Sequence, residues 1–174
     1  MTSPAWSSNG TGSDNLLALG PDLPLAVFTS TERWQPERIG ALALYCSDGR
    51  WGEAFDEFCH RALLLPRYDR WAVPGGPVCL LPRDSDEGFC RGVWEQLDFL
   101  VRAHELRRVV LIAHHGCAYY AELLGRGPDD CLPAQADDLR TAAAALREWF
   151  RGVGVETYLA MRRGASLSFH QVGP

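Results

Sequence analysis

Two short motifs carry the residues of this chain that are best suited to chemistry. The first is CSDGR, which brings Cys46, Asp48 and Arg50 together directly after an apolar segment. The second is HHGC, in which His114 and Cys117 stand three residues apart after another apolar segment. Two thiolates and an imidazole form a donor set that suits tetrahedral zinc, and three protein ligands leave a fourth position open. Together the motifs predict a zinc site.

Each motif taken alone has a plainer interpretation. Cys46 can be a small apolar side chain that closes a buried strand, with Asp48 and Arg50 paired across the turn that follows it. A histidine three residues before a cysteine also arises by chance in many chains. The metal interpretation is favoured because both motifs stand where predicted strands end.

The elements that must position these motifs follow from periodicity. Five segments have the pattern of strands, the last of them as an antiparallel edge strand: 38–46, 70–77, 107–117, 155–161 and 165–170. Helical spacing lies between them, most clearly over 84–105 and 134–150. This alternation predicts a three-layer α/β domain with a mostly parallel central sheet of about four strands plus the edge strand. In such sheets ligands bind beyond the carboxyl ends of the strands, which is where both motifs fall.

Length and composition limit the domain organisation. The 174 residues suffice for one domain with a proper core. Residues 1–21 are rich in Ser, Gly and Asn, so we expect a flexible N-terminal arm followed by a single zinc-binding domain over 22–174. The net charge of −5 argues against non-specific binding of nucleic acid or anionic membranes. The chain contains no lysine, which excludes a Schiff-base mechanism.

The expected compartment bears on the six cysteines. The N-terminus lacks a basic segment followed by an apolar one, and no apolar run approaches the ~18 residues that span a bilayer. We therefore expect a cytoplasmic protein, in which thiols stay reduced. The cysteines are then core residues, metal ligands or reactive thiols, and pattern alone does not place Cys79 or Cys131.

The two motifs resemble the C-x-D-x-R and H-x-x-C motifs of the β-class carbonic anhydrases. The similarity covers roughly residues 38–124 and includes the long helix that leads to the His-bearing strand. It implies hydration of carbon dioxide to bicarbonate by a hydroxide bound to zinc, with Cys46, His114 and Cys117 as ligands. It also implies that Asp48 and Arg50 form the catalytic pair of the family.

The chemistry of that pair leaves two roles open for Asp48. A carboxylate near the metal can orient the attacking water or accept its proton, and a guanidinium forked onto the carboxylate keeps it ionised and aimed. In the resembled family the same carboxylate can also occupy the fourth zinc position. Asp48 is therefore expected either to orient water or to act as a fourth ligand.

Three further residues are candidates for the pocket. Gly75 and Gly76, in VPGGP, would let the backbone approach an anion, or they form a simple turn after the strand. His115 neighbours a proposed ligand and would serve as a proton shuttle, although a solvated or hydrogen-bonded loop histidine is the commoner case.

Two other functions suit the same motifs, because the segment VPGGP and the pair Tyr119–Tyr120 depart from the family pattern. The first is a hydrolase of carbonyl sulfide or carbon disulfide on the same fold, which a long, narrow, apolar tunnel would favour. The second is a non-catalytic zinc domain that acts as a sensor or interaction module. A filled fourth position with no cavity around the metal would favour that alternative.

We predict a homodimer, or a larger homo-oligomer. In the resembled family the site lies at a subunit interface, and the arm carries an apolar NLLAL segment that a small domain cannot easily bury. Light scattering at micromolar concentration should give at least twice the mass of the chain. A monomer under those conditions would contradict the prediction.

Overall fold

One central sheet organises the chain in a computed structural model, which describes residues 26–83 and 87–173. The strands are β1 (Ala41–Cys46), β2 (Asp69–Val73), β3 (Arg108–His114), β4 (Gly154–Arg163) and β5 (Ser166–Gln171). Their order in the sheet is β2-β1-β3-β4-β5. The first four strands are parallel to one another, and β5 runs antiparallel to β4. The predicted α/β sheet, four parallel strands with an antiparallel edge strand, is confirmed.

The helices fill the connections between the strands. They are α1 (Gly52–Glu57, continued by a π-helical turn over Phe58–Ala62), α2 (Glu87–Ala103), α3 (Ala118–Leu124) and α4 (Leu132–Trp149). Two 3-10 segments lie at Gly76–Leu80 and Pro128–Cys131. Among the helices of the described ranges, none is both long and apolar enough to cross a lipid bilayer.

Alternation along the strands produces the three layers. In β1, Leu42 and Leu44 pack into a cluster with residues of α2 and α4, such as Leu97 and Leu139. The alternate positions Ala43 and Tyr45 face the opposite cluster, which holds the aromatic residues of the α1 segment. Because both faces are covered at the centre of the sheet, β1 and β3 are buried at nearly every position, as expected for central parallel strands.

The strand order places β1 and β3 at a switch point of the sheet. From β1 the chain crosses to β2 on one side, and it later returns to form β3 on the other side. The two strands pair in parallel, with Tyr45 opposite Ile112. Their carboxyl ends, at Cys46 and His114, therefore open onto the crevice that parallel sheets use for ligands.

The chain divides after Pro36, and the unit Glu37–Pro174 contains every helix and strand described above. Within the preceding unit, the described residues 26–36 contain bends but no helix or strand. The predicted arm over 1–21 lies outside the described residues.

Gly76 brings the segment after β2 against the sheet. Its φ angle is +59°, and an added Cβ would lie 2.8 Å from the backbone N of Cys46 and 2.9 Å from the carbonyl carbon of Tyr45. Those neighbours are strand backbone, which cannot move aside as a flexible side chain can. Only glycine fits there, and this close approach sets the position of the 3-10 segment beside the end of β1.

We therefore predict that Gly76→Ala lowers the free energy of unfolding by about 3 kcal/mol or more, since it combines a left-handed backbone with a backbone clash. Gly92→Ala is the control, because Gly92 lies inside α2 with no atom within 4 Å of the added Cβ. That change should raise stability by about 0.5–1 kcal/mol. Chemical denaturation measures both values, and a loss below 1 kcal/mol for Gly76→Ala would contradict the packing described here.

Candidate metal centre

Three donor groups converge at the carboxyl ends of β1 and β3. The ligand atoms of Cys46, His114 and Cys117 all lie within 4.8 Å of one another, and the two sulfur atoms are 3.9 Å apart. The residues are buried, with exposed fractions of 6%, 1% and 2%. In the described part of the chain this is the one cluster of metal-ligating side chains found. The structure thus brings together the three residues that the sequence predicted as ligands.

The ring of His114 is oriented for a ligand. Its Nδ1 lies 2.9 Å from the carbonyl oxygen of His115, and because a carbonyl only accepts, Nδ1 carries the hydrogen. The neutral ring then has its free lone pair on Nε2, which is buried and has no hydrogen-bond partner among the described residues. Hydrogen bonding through one ring nitrogen commonly fixes a histidine that binds metal through the other. Trp51 packs on the ring at a centroid distance of 5.0 Å.

Helix α4 supports the cluster through a residue that the motifs did not reveal. The side-chain Nε2 of Gln135 donates to the backbone carbonyl of His114 at 2.9 Å, and Gln135 is fully buried. This hydrogen bond satisfies a carbonyl where β3 ends. The available sequence signal was a single amide on the otherwise apolar stripe of α4, which continues with Leu139 and Ala142.

The start of α3 positions and activates Cys117. Backbone N–H groups of Tyr119 and Tyr120 and the thiol of Cys46 donate toward its sulfur, and the Cys46 interaction contributes most to lowering the pKa of Cys117 to about 6. The same pairing, with burial, raises the pKa of Cys46 to about 12. One thiolate is thus present at neutral pH, and the second proton must be displaced by a cation.

Asp48 and Arg50 form a paired arrangement beside the cluster. The Arg50 Nε donates to Oδ1 of Asp48 at 2.9 Å, and Nη2 donates to Oδ2 at 2.5 Å. This guanidinium lowers the pKa of Asp48 to about 2, so the carboxylate stays ionised at neutral pH. The backbone N–H of Asp48 also hydrogen-bonds the sulfur of Cys46. The carboxylate is thus turned to Arg50, and within the described residues the three-atom donor cluster does not include it.

The side chains of Cys46, His114 and Cys117 are better explained as metal ligands than as residues of an apolar core. A buried imidazole nitrogen without a partner, facing two sulfur atoms, costs free energy unless something binds it. All six cysteines lie in the described part of the chain and none forms a disulfide. The other four are buried outside this cluster: Cys59, Cys79, Cys90 and Cys131. Cys46, His114 and Cys117 are therefore the residues that could hold a metal.

A cavity of about 120 Å³ lies next to the paired residues. It is lined by Arg50, Trp51, His115, Gly116, Arg162 and Leu167. The Nε2 of His115 lies 2.7 Å from a carboxylate oxygen of Asp129, which gives this histidine a partner in the loop before α4. The cavity thus adjoins Arg50 and the turn between the two proposed ligands on β3 and α3.

The two glycines proposed for the pocket are packed against other parts of the chain. Neither Gly75 nor Gly76 lines the cavity. A Cβ on Gly75 would lie 2.5 Å from the ring of Tyr119, so that ring covers the turn. Tyr119 also packs against the cluster formed by Cys46, Cys117 and their apolar neighbours. The structure therefore places these glycines in packing contacts.

Comparison with known protein families finds no match, and neither does a search among curated proteins. Three solved structures that resemble the chain are β-carbonic anhydrases, the family that the two motifs resemble. CafD of Aspergillus fumigatus shares 15% identity at a TM-score of 0.49, over 86% of this chain and 98% of that one. At this identity the similarity concerns the fold.

The other two solved structures have similar identities and TM-scores. CafA of Aspergillus fumigatus shares 15% identity at a TM-score of 0.45, over 79% of this chain and 78% of that one. The isoform I enzyme of Trichomonas vaginalis shares 15% identity at a TM-score of 0.44, over 84% of this chain and 90% of that one.

We predict that the purified protein binds one divalent metal ion per chain and that Cys46→Ser loses it. Cys59→Ser, which removes a buried thiol outside the cluster, should keep a full equivalent. Elemental analysis measures both. Full metal content in Cys46→Ser would contradict the ligand assignment.

Metal binding should also be linked to pH. With the pKa of Cys117 at about 6 and that of Cys46 at about 12, metal binding at pH 8 displaces one proton, from Cys46. At pH 5 it displaces about two, because Cys117 is then protonated as well. Metal binding should therefore weaken as pH falls through 6. Calorimetric titration of the metal-free protein in buffers of different ionisation enthalpy gives the number of protons released. Equal release at both pH values would contradict the thiolate assignment.

Proposed function

We propose that this chain is a zinc-dependent enzyme of the carbonic anhydrase type, which hydrates carbon dioxide to bicarbonate. The observation that carries the proposal is the buried cluster of two sulfur atoms and a free imidazole nitrogen, with an ionised Asp48 held beside it by Arg50. Hydration needs a cation site and a fixed acceptor for a water hydrogen, and a cavity lined by Arg50 lies on the side of that acceptor's partner.

Zinc is the metal that these ligands favour. Thiolates and imidazole bind it in tetrahedral geometry, and a set of three leaves one position for a small molecule. When bound by Cys46, His114 and Cys117, zinc would supply a Lewis acid that lowers the pKa of a water molecule.

The protein side chains then orient the reacting groups. With a pKa of about 2, Asp48 does not retain a proton near neutral pH. Its carboxylate instead accepts a hydrogen bond from water and aims the oxygen lone pair at the carbon of carbon dioxide. Arg50 holds both carboxylate oxygens so that Asp48 cannot swing onto the metal position. The overall reaction converts carbon dioxide and water into bicarbonate and a proton, and the proton leaves to solvent.

The lining of the cavity favours hydration over hydrolysis of the sulfur compounds. A hydrolase of carbonyl sulfide or carbon disulfide would be expected to have a long apolar tunnel, whereas this cavity is lined by Arg50, His115 and Arg162. None of the three proposed ligands lines the cavity, so the non-catalytic zinc domain is distinguished by measured turnover. The kinetic experiment below distinguishes both alternative functions from hydration.

The direct test is stopped-flow hydration of carbon dioxide by the zinc-loaded protein, with carbonyl sulfide and carbon disulfide as competing substrates. We expect hydration that requires zinc and is lost in Cys46→Ser. Turnover of the sulfur compounds alone would favour the hydrolase. No turnover of any of the three, with zinc fully bound, would favour the non-catalytic domain.

We predict that Asp48→Asn and Arg50→Ala each keep near wild-type zinc but lower the rate of hydration by about 10²–10⁴-fold. Neither residue belongs to the donor cluster, so metal content and folding should be retained. Arg61→Ala is the control, since Arg61 pairs with Glu57 on the surface of the α1 segment and lies outside the site.

The two variants should also differ in structure. In Arg50→Ala the freed carboxylate can close the fourth metal position, whereas the amide in Asp48→Asn cannot do so as an anion. If both variants lose zinc and unfold together, the pair is a structural clamp on the turn after β1. Unchanged hydration rates in both would show that the pair has no catalytic part.

A further inference from the structure

The β4–β5 hairpin extends past the edge of the sheet at which the metal centre lies. The last paired residue of β3, His114, stands opposite Ala160 of β4, but β4 continues to Arg163. Beyond that point β4 pairs with β5 only, with Arg162 opposite Leu167. Because alternate residues share a face, Arg162 lies on the same face as Ala160, which packs with the α1 aromatic cluster.

This overhang places Arg162 and Leu167 in the wall of the cavity, which Arg50 and His115 also line. The cavity is therefore built from two parts of the chain: the turns after β1 and β3, which carry the proposed metal centre, and a hairpin that belongs to neither motif.

The charges of the lining favour an anion. None of the six lining residues is acidic. Arg50 is paired with Asp48, and His115 is paired with Asp129. Arg162 has no hydrogen-bond or ion-pair partner within the described ranges of the chain. Its guanidinium is thus the charge that remains available to a ligand, and its planar fork matches the geometry of a planar oxyanion.

The size of the cavity limits the ligand. Its volume of about 120 Å³ lies well below the roughly 300–1,000 Å³ of pockets that hold drug-sized molecules. A nucleotide or sugar phosphate does not fit, whereas a small oxyanion with accompanying water does.

We propose that Arg162 is a binding residue for a small oxyanion and that it holds the product bicarbonate as bicarbonate leaves the metal centre. The inference rests on the proposed function for the identity of the anion, but the cavity and its charge do not depend on turnover. Leu167, opposite Arg162 on β5, closes the apolar side of the same wall.

The test compares Arg162→Gln with Arg163→Gln, which removes an equal charge from the neighbouring residue on the other face of the hairpin. The zinc-loaded protein is titrated with bicarbonate at fixed ionic strength, and the dissociation constant is measured by ¹³C line broadening. Inhibition of carbon dioxide hydration by added bicarbonate gives an independent inhibition constant. Arg162→Lys tests whether charge alone restores binding.

We expect both constants to rise about 3–10-fold in Arg162→Gln, as for loss of one partly exposed charged hydrogen bond, and to stay within twofold of wild type in Arg163→Gln. Arg162→Lys should recover part of the loss, and the effect should shrink as salt is added. Equal effects of the two glutamine variants would overturn the proposal, since they would indicate a general surface charge. Unchanged constants in Arg162→Gln would also overturn it.

The experiment separates this inference from the proposed function. If the protein binds bicarbonate through Arg162 but does not hydrate carbon dioxide, the anion site is supported and the proposed enzymatic function is contradicted. If the wild-type protein hydrates carbon dioxide and Arg162→Gln leaves inhibition by bicarbonate unchanged, the enzymatic function is supported and the anion site is contradicted.

Discussion

The structure depends on the meeting of β1 and β3, because their carboxyl ends hold the three groups that could bind a metal. Cys46 ends one strand, His114 ends the other, and Cys117 follows a single turn later, directly before α3. Burial of two thiols and an imidazole with an unpartnered nitrogen opposes folding. A cation that binds all three offsets this cost and adds its binding free energy to the folded state.

The surrounding elements hold those groups in place through few contacts. Gly76 allows the segment after β2 to lie directly against the end of β1, and Gln135 binds the last carbonyl of β3 from α4. Helix α3 is fixed to α4 by the Tyr120 hydroxyl, which donates to Asp138 at 3.0 Å. These contacts link α3, α4 and the segment after β2 to the position of one small site. A change in any of them should therefore alter the geometry of the three ligands as well as stability.

Much of this arrangement could be predicted from sequence. Short apolar strands between helices predict a parallel sheet, and ligands bind at the carboxyl ends of such strands. Cys46, His114 and Cys117 could therefore be placed together from the sequence alone. Gln135 could not be assigned a partner, because a buried amide on a helix can meet any nearby backbone. The place of Arg162 in the cavity wall could not be predicted either, because it depends on how far the β4–β5 hairpin extends past β3. The packing of Gly75 likewise depends on Tyr119, and that of Gly76 on the backbone at the end of β1, both of which are distant in sequence.

X-ray absorption at the zinc edge of the protein as purified tests the central claim most directly. Coordination by Cys46, His114 and Cys117 predicts two sulfur atoms at about 2.3 Å and one imidazole nitrogen at about 2.0–2.1 Å, with one further light atom. The same spectrum of Cys46→Ser should lose a sulfur or lose zinc altogether. A wild-type spectrum with only oxygen and nitrogen neighbours, or a protein that purifies without zinc and does not take it up, would contradict the account.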